Sequence, residues 1–190
     1  MNKAIFLDRD GVINEIIYEP DGKLMSPSNL EQLKIIDNVK EGIAEMKKIG
    51  FKVISITNQP GVAFGYLREE KLKEVNESLK KTLGIDEIYS CPHHLNFTGE
   101  CECRKPKIGL IEQAKKDFNL NLGESYMVGD SLSDIRTGKN ANVKATFRIG
   151  IEREEIIELQ HQKGIFPDYT LPNLIEVVNK IKELEEKSSH

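Results

Sequence analysis

Ala4-Ile5-Phe6-Leu7-Asp8-Arg9-Asp10-Gly11 opens almost at the start of the chain: an apolar run, then two aspartates one residue apart, then a glycine. A short apolar run with no polar alternation reads as a strand buried on both faces, the kind found in parallel sheets. Working outward, Phe51–Thr57 (FKVISIT) is β-branched and forms a second such strand. Ile85–Ser90, Tyr126-Met127-Val128 and Ala145–Ile149 supply further strands, and Tyr169–Leu171 a short last one.

Helical spacing alternates with these strands. Asn38 opens a helix with Val39, Ile43 and Met46 on one face, closed by Gly50. Leu72, Val75, Leu79 and Leu83 mark the next, closed by Gly84, and Leu110, Ile111, Ala114 and Phe118 another. A short helix is predicted at Asp134–Asn140, one near Glu152–Gln162 and an amphipathic one from Pro172 to about Lys187. Strand–helix alternation of this kind predicts an α/β fold, a Rossmann-like parallel sheet sandwiched by helices. Glu15–Leu33 shows no clear period and carries the turn sequences Pro20-Asp21-Gly22 and Ser26-Pro27-Ser28. It is read as a long functional loop.

The chain has 190 residues, 38% hydrophobic and 31% charged. At roughly 100–200 residues per domain that predicts one domain, 1–190, large enough for a core without disulfides. No segment approaches the ~20 apolar residues of a membrane helix, and the N-terminus reads as having no secretory signal. Net charge is −4 with no basic stripe, so neither nucleic acid nor membrane is expected as a partner. All three cysteines fall between Cys91 and Cys103. That clustering points to a metal in a reducing compartment, hence a cytoplasmic location.

Polar groups collect just past three strand ends: Asp8 and Asp10, then Thr57 and Asn58, then Asp130. Ligands of open α/β sheets bind at that edge. The i, i+2 spacing of Asp8 and Asp10 puts two carboxylates on one side, and a bound cation relieves their repulsion. Mg²⁺ fits, since it takes one or two carboxylates plus substrate phosphate, with Asp130 the partner from another strand. Lys105, Thr57 and Asn58 are placed to neutralise a phosphate. Cys91, His93, Cys101 and Cys103, in the loop 91–103, form a closed set for tetrahedral Zn²⁺, structural and not catalytic. His94 is the alternative to His93 and otherwise a solvated loop histidine. His161 and His190 read as surface residues. The alternatives to a zinc site are reduced surface cysteines, or one disulfide with a free thiol.

FLDRDGVIN, ITNQPG, RKPK and VGDSLSDI, in that order, resemble the four motifs of the haloacid dehalogenase superfamily of phosphohydrolases. The resemblance runs from about Ile5 to Ile149. It implies Asp8 as a nucleophile forming an aspartyl-phosphate and Asp10 as general acid, then base. It implies Thr57 and Lys105 as holders of the phosphoryl group, and Asp8, the Asp10 backbone carbonyl and Asp130 as Mg²⁺ ligands. Asp134 would brace the metal shell or Lys105. The C-x-H…C-x-C loop before RKPK resembles the zinc-containing subgroup of heptose 1,7-bisphosphate and histidinol-phosphate phosphatases. Phe64 and Ser131 stand where relatives in the subgroup often carry a basic residue.

The intervals Asp10–Thr57 and Thr57–Lys105 are largely used by one helix and one strand each. What remains is loop 15–33 and the zinc loop, so the site is expected to be capless, with Arg104 beside the substrate. A site with little roof favours a sugar bisphosphate whose distant phosphate is held by Arg104, Lys107 and loop 15–33. Histidinol phosphate, a cation, would instead call on Glu15, Glu19 and Asp21. A monomeric enzyme acting on a small phosphorylated metabolite is the expectation. The rival from another class is a zinc-loop module that binds phosphorylated ligands without turnover, which would have no need of Asp10 as a second acid.

Overall fold

The computed structural model describes residues 1–19 and 22–188. Pro20, Asp21 and His190, read above as turn, loop acid and surface residues, lie outside the described residues.

Ala4–Leu7 (β1) is the middle of the molecule. All four of its residues are wholly buried, because the sheet is covered on both faces. Ile5 and Leu7 pack into one core with Val39, Ile43 and Met46 of Val39–Lys48 (α1) and Val177, Val178 and Ile181 of Leu174–Ser188 (α7). Ala4 and Phe6 face the opposite core, with Leu110, Ile111 and Ala114 of Gly109–Phe118 (α4). That is the physical meaning of the unalternating apolar run.

The other strands of the main sheet are Lys52–Asn58 (β4), Glu87–Cys91 (β5), Tyr126–Gly129 (β6), Ala145–Ile149 (β7) and Tyr169–Leu171 (β8). Their order is β5-β4-β1-β6-β7-β8, and every pairing is parallel. The order reverses at β1, so the crevice at its carboxyl end is the switch point where such sheets bind ligands. Glu69–Leu83 (α2), Leu132–Asn140 (α5) and Glu154–Lys163 (α6) complete the long helices. No helix among the described residues is long and apolar enough to cross a membrane.

One sequence expectation changes. Loop 15–33 contains a hairpin, Ile17–Tyr18 (β2) against Leu24–Met25 (β3), too short for its alternation to show as a period. Asn38 opens α1 as expected, its carbonyl accepting the Gly42 N–H at 2.9 Å, with φ of 64° and no side-chain cap. A four-residue helix, Leu95–Thr98 (α3), also lies in the zinc loop, below the length that periodicity can detect.

The helix α5 seats against β6 and β7 at Gly138, where a Cβ would stand 2.6 Å from Thr146 Cγ2 and 2.7 Å from Met127 Cβ. Gly138→Val should therefore destabilise the protein by ~2–3 kcal/mol through overpacking. At this chain length the melting temperature should fall by about 2–4 °C for each kcal/mol. Denaturant unfolding should show a lower midpoint at unchanged slope.

Candidate active site

The carboxyl edge of the sheet brings Asp8, from just past β1, to Lys105, from the loop before α4. Lys105 Nζ lies 2.8 Å from Asp8 Oδ1 and 2.6 Å from Asp134 Oδ1. It also donates to the Ile56 carbonyl at 2.9 Å, so two carboxylates and one carbonyl surround the ammonium. The Lys105 and Asp134 side chains are buried, and Asp8 is nearly so.

Each member of this triad is held by local sequence. Ser131 and Asp134 form a capping box at the start of α5: the Ser131 hydroxyl takes the Asp134 N–H, and Asp134 Oδ2 takes the Ser131 N–H at 3.1 Å. Gly129 lets that carboxylate approach, since a Cβ there would sit 2.2 Å from Asp134 Cβ. Asn58, read as a phosphate ligand, clamps Lys105 from the other side. Its carbonyl accepts the Lys105 N–H at 3.0 Å and its amide donates to the Lys105 carbonyl at 3.2 Å.

Asp8, Asp130 and Asp134 offer oxygen atoms within 4.8 Å of one another. Three carboxylates against one lysine leave negative charge that a divalent cation would balance. Burial, and then the Asp134 charge, push the Asp8 carboxyl up to about 8, with Lys105 opposing. Burial and Asp134 likewise push Asp130 up to about 6. Burial disfavours the charged form of Lys105, but Asp134 and Asp8 outweigh it and hold the ammonium protonated. Gly11 leaves room for this group, because a Cβ there would stand 2.3 Å from Asp130 Oδ2.

The Asp10 carboxylate stands apart from these three. The spacing argument assumed strand alternation, but β1 ends at Leu7 and Asp10 lies beyond it. Its Oδ1 accepts from Arg9 Nε and Nη2, both at 3.1 Å, and from Asn14 Nδ2 at 2.9 Å. Its Oδ2 accepts from Ser26 Oγ and Gln59 Nε2, both at 2.7 Å. Burial raises the cost of its charge, yet Arg9 and these hydrogen bonds outweigh it and hold the carboxyl below the usual range. The Asp10 carboxylate is thus absent from the acidic group that could hold a metal. Arg9, Asn14, Ser26 and Gln59 escaped sequence reasoning. Gln59 lies inside the quoted ITNQPG motif and Arg9 between the two aspartates, but neither type at those places signals a carboxylate partner.

A cavity of about 260 Å³ opens over Asp8 and Asp10. Thr57, Asn58, Arg104, Lys105 and Asp130 line it, together with Ile16, Pro60, Tyr66, and Leu24 and Met25 of the hairpin strand β3. Its roof is loop and hairpin. Thr57 Oγ1 already accepts from Gln59 Nε2 at 2.9 Å. Arg104 is tied to the neighbouring loop by a 3.1 Å bond from Nη1 to the His93 carbonyl. Lys107 does not line this cavity. It pairs with Glu102 at 3.0 Å and lines an adjoining one of about 330 Å³, to which Arg104 also contributes.

In that loop Cys91, His93, Cys101 and Cys103 converge, each offering one atom within 4.8 Å of the rest. Cys91 Sγ lies 3.7 Å from both Cys101 Sγ and His93 Nδ1, and His93 Nδ1 lies 3.2 Å from Cys103 Sγ. Ligands on a tetrahedron with Zn–S near 2.3 Å would stand ~3.7 Å apart. The closest edge, Cys91 to Cys103, is 2.7 Å, too long for a disulfide, and all three cysteines are free. The donor set fits zinc. His94 faces away from the thiols, packing on Phe64 and Phe97.

A family description for haloacid dehalogenase-like hydrolases matches residues 23–142. The D-glycero-beta-D-manno-heptose-1,7-bisphosphate 7-phosphatase of Haemophilus influenzae is 34% identical, over 97% of this chain and 100% of its own length. The D-glycero-alpha-D-manno-heptose-1,7-bisphosphate 7-phosphatase of Campylobacter jejuni is 33% identical, over 95% and 96% respectively. Among solved structures, the D,D-heptose 1.7-bisphosphate phosphatase from B. bronchiseptica, complexed with magnesium and phosphate, superposes with a TM-score of 0.78 at 24% identity, over 95% of this chain and 98% of that one.

The raised carboxyls have a thermodynamic consequence. Asp8 at about 8 and Asp130 at about 6 exceed their unfolded value of 3.8, so between those limits the folded state binds the extra protons. Without metal, their contribution to stability is present at low pH and lost as pH rises through the folded values. A divalent cation must displace those protons. The rise in melting temperature on adding MgCl₂ should therefore be larger near about pH 8 than near about pH 5. Thermal scans at both pH values, with and without the ion, check this.

Proposed function

The chain belongs to the haloacid dehalogenase-like hydrolase family and is a phosphatase, and on that premise we propose that it removes the 7-phosphate of D-glycero-D-manno-heptose 1,7-bisphosphate through an aspartyl-phosphate on Asp8. The observation that carries the reaction is the Asp8–Lys105–Asp134 triad at the sheet's switch point. Support for the substrate comes from the end-to-end likeness to relatives bearing that name.

In this reading an Asp8 carboxylate oxygen attacks phosphorus and the bond from phosphorus to the sugar oxygen breaks. Asp10 enters this step protonated, having taken a proton from solvent against the pull of Arg9 and its other donors, and gives that proton to the departing oxygen. Asp10 then takes a proton from water, which attacks the phosphoryl group on Asp8 and releases inorganic phosphate. Two displacements replace one difficult step. Lys105 and the Thr57 hydroxyl hold the transferring phosphoryl oxygens. Asp8, Asp130 and the Asp10 carbonyl would hold Mg²⁺, which when bound neutralises charge on the phosphoryl group. Such neutralisation and positioning are most of what a protein contributes to phosphoryl transfer.

Arg104 is the residue for the distant phosphate. It lines the cavity beside Lys105, and its anchor on the His93 carbonyl is where the zinc loop would set its position. Charge-assisted arginine–phosphate bonds are about twice as strong as neutral ones, and that binding energy can orient the reacting end. Lys107, occupied by Glu102, is the weaker candidate. The histidinol-phosphate reading draws less support: Glu15 is exposed, 4.0 Å from Lys34, and neither it nor Glu19 lines the cavity. We further read residues 1–190 as one domain, acting as a monomer in the cytoplasm, with Zn²⁺ on Cys91, His93, Cys101 and Cys103 in a structural role.

Asp8→Asn should lower turnover by ~10⁴ or more, the scale of losing a covalent nucleophile. Phosphate release should be followed for both anomers of the heptose bisphosphate and for histidinol phosphate. A preference for histidinol phosphate would reject the substrate, and near-native turnover in Asp8→Asn would reject the mechanism.

Cys103→Ser should release zinc by elemental analysis while the far-ultraviolet circular dichroism holds, because the sheet has its own core. Substrate affinity should fall with Arg104's loosened anchor. Purified wild type without zinc would reject the metal assignment.

A further inference from the structure

Arg9 stands between the two reacting aspartates and has no task in the chemistry above. Its side chain is wholly buried, and among the described residues its ion-pair partner is Asp10. One edge of the guanidinium grips that carboxylate: Nε and Nη2 reach Oδ1, and Nη2 reaches Oδ2 at 3.2 Å. The far corner points the other way, into the protein, where Nη1 donates to Asn76 Oδ1 at 2.8 Å. Asn76 Nδ2 in turn donates to Ser90 Oγ on β5 at 2.9 Å.

Asn76 is itself an anomaly. It is buried on the α2 face that otherwise presents Leu72, Val75, Leu79 and Leu83. A buried amide and a buried guanidinium each cost desolvation, and apolar side chains of similar volume are often at least as stable. What the pair supplies is geometry. Asp10 lies past the end of β1, in an isolated bridge to Asn14, and main-chain pairing there does not set its carboxylate plane. A planar fork from arginine does fix it, and a lysine could not. The fork is in turn immobilised only if its third nitrogen is held, which is what Asn76 does.

We propose that Arg9 and Asn76 are positioning residues, Asn76 fixing the guanidinium of Arg9 and Arg9 fixing the Asp10 carboxylate for proton transfer at the leaving oxygen. The inference rests on the assignment of Asp10 as general acid and base. It makes α2, a helix that contributes no group to the cavity's chemistry, the rigid support of the proton-transferring residue.

The test separates steps that need a proton from those that do not. A sugar primary phosphate needs its leaving oxygen protonated, whereas 4-nitrophenyl phosphate departs unaided. The parameter kcat/KM reports that first displacement. With the full chain and Mg²⁺, Asn76→Leu should lower kcat/KM for the sugar phosphate by about tenfold or more, out of the ~10²–10⁴ that general acid catalysis supplies. The loss should fall on kcat with KM little changed. For 4-nitrophenyl phosphate the change should stay within about threefold. Asn76→Asp, which keeps an acceptor for Arg9, should restore most of the loss. Arg9→Lys should show the same split as Asn76→Leu, because it keeps the charge and loses the fork. Arg9→Met would strip Asp10 of its buried ion-pair partner and is not needed: Asn76→Leu, checked by thermal unfolding, carries the test. Parallel losses on both esters, or no loss on either, would overturn the proposal while leaving the phosphatase reading intact. A wild type that hydrolyses neither ester would overturn both.

Discussion

One buried ammonium organises the site. Lys105 Nζ sits between Asp8 and Asp134, 2.8 and 2.6 Å away, in a place water hardly reaches. Removing either charge partner from such a pair leaves an uncompensated buried ion, typically at ~3–5 kcal/mol. The surrounding structure serves that geometry. β1 delivers Asp8, the capping box of α5 delivers Asp134, and Asn58 and the Ile56 carbonyl at the end of β4 deliver Lys105. Three parallel strands end together because their pairing registers are fixed from Ala4 to Leu7 and from Tyr126 to Val128. The catalytic edge is in this sense a consequence of sheet register.

The sheet and its order of elements were legible because they depend on composition over many residues. A run such as Ala4–Leu7 has few ways to hide itself except between two layers of helix. The convergence of the cysteines was legible for a similar reason, since three cysteines in one loop have few uses apart from a shared one. What escaped was local. The hairpin of β2 and β3 is held by two residue pairs, too few to leave a period. Its consequence is functional all the same, since it carries Ser26 to Asp10 and Leu24 and Met25 to the cavity wall. Asn58 was legible as a polar group at the cavity, but its clamp on the Lys105 backbone was not, because one amide can serve either partner.

The region 60–67 and the zinc loop meet through rings and not through charge. Phe64 stacks on Tyr66 at 5.8 Å between centroids and meets His94 and Phe97 at 4.7 and 4.9 Å. Tyr66 reaches the cavity wall. The loop that gathers the thiols thus bears on the cavity twice, through Arg104 and through this cluster. Phe64, which breaks the basic pattern of the related segment, is at the centre of that contact.

The two aspartates of the first motif differ by surroundings, not by type. Asp8 has one cation beside it and two carboxylates near, and burial with that crowding pushes it up to about 8. It is therefore a carboxylate short of positive charge, one that a divalent cation and an electrophilic phosphorus would both stabilise. Asp10 has donors on both oxygens and is held down. It rests ionised, and taking up the proton it would pass to a departing oxygen means working against those donors. Environments that push two carboxyl groups apart separate the roles of nucleophile and proton carrier. Here the separation comes from an offset of two residues. Asp8 ends at the sheet edge among acids, and Asp10 has already turned away onto Arg9.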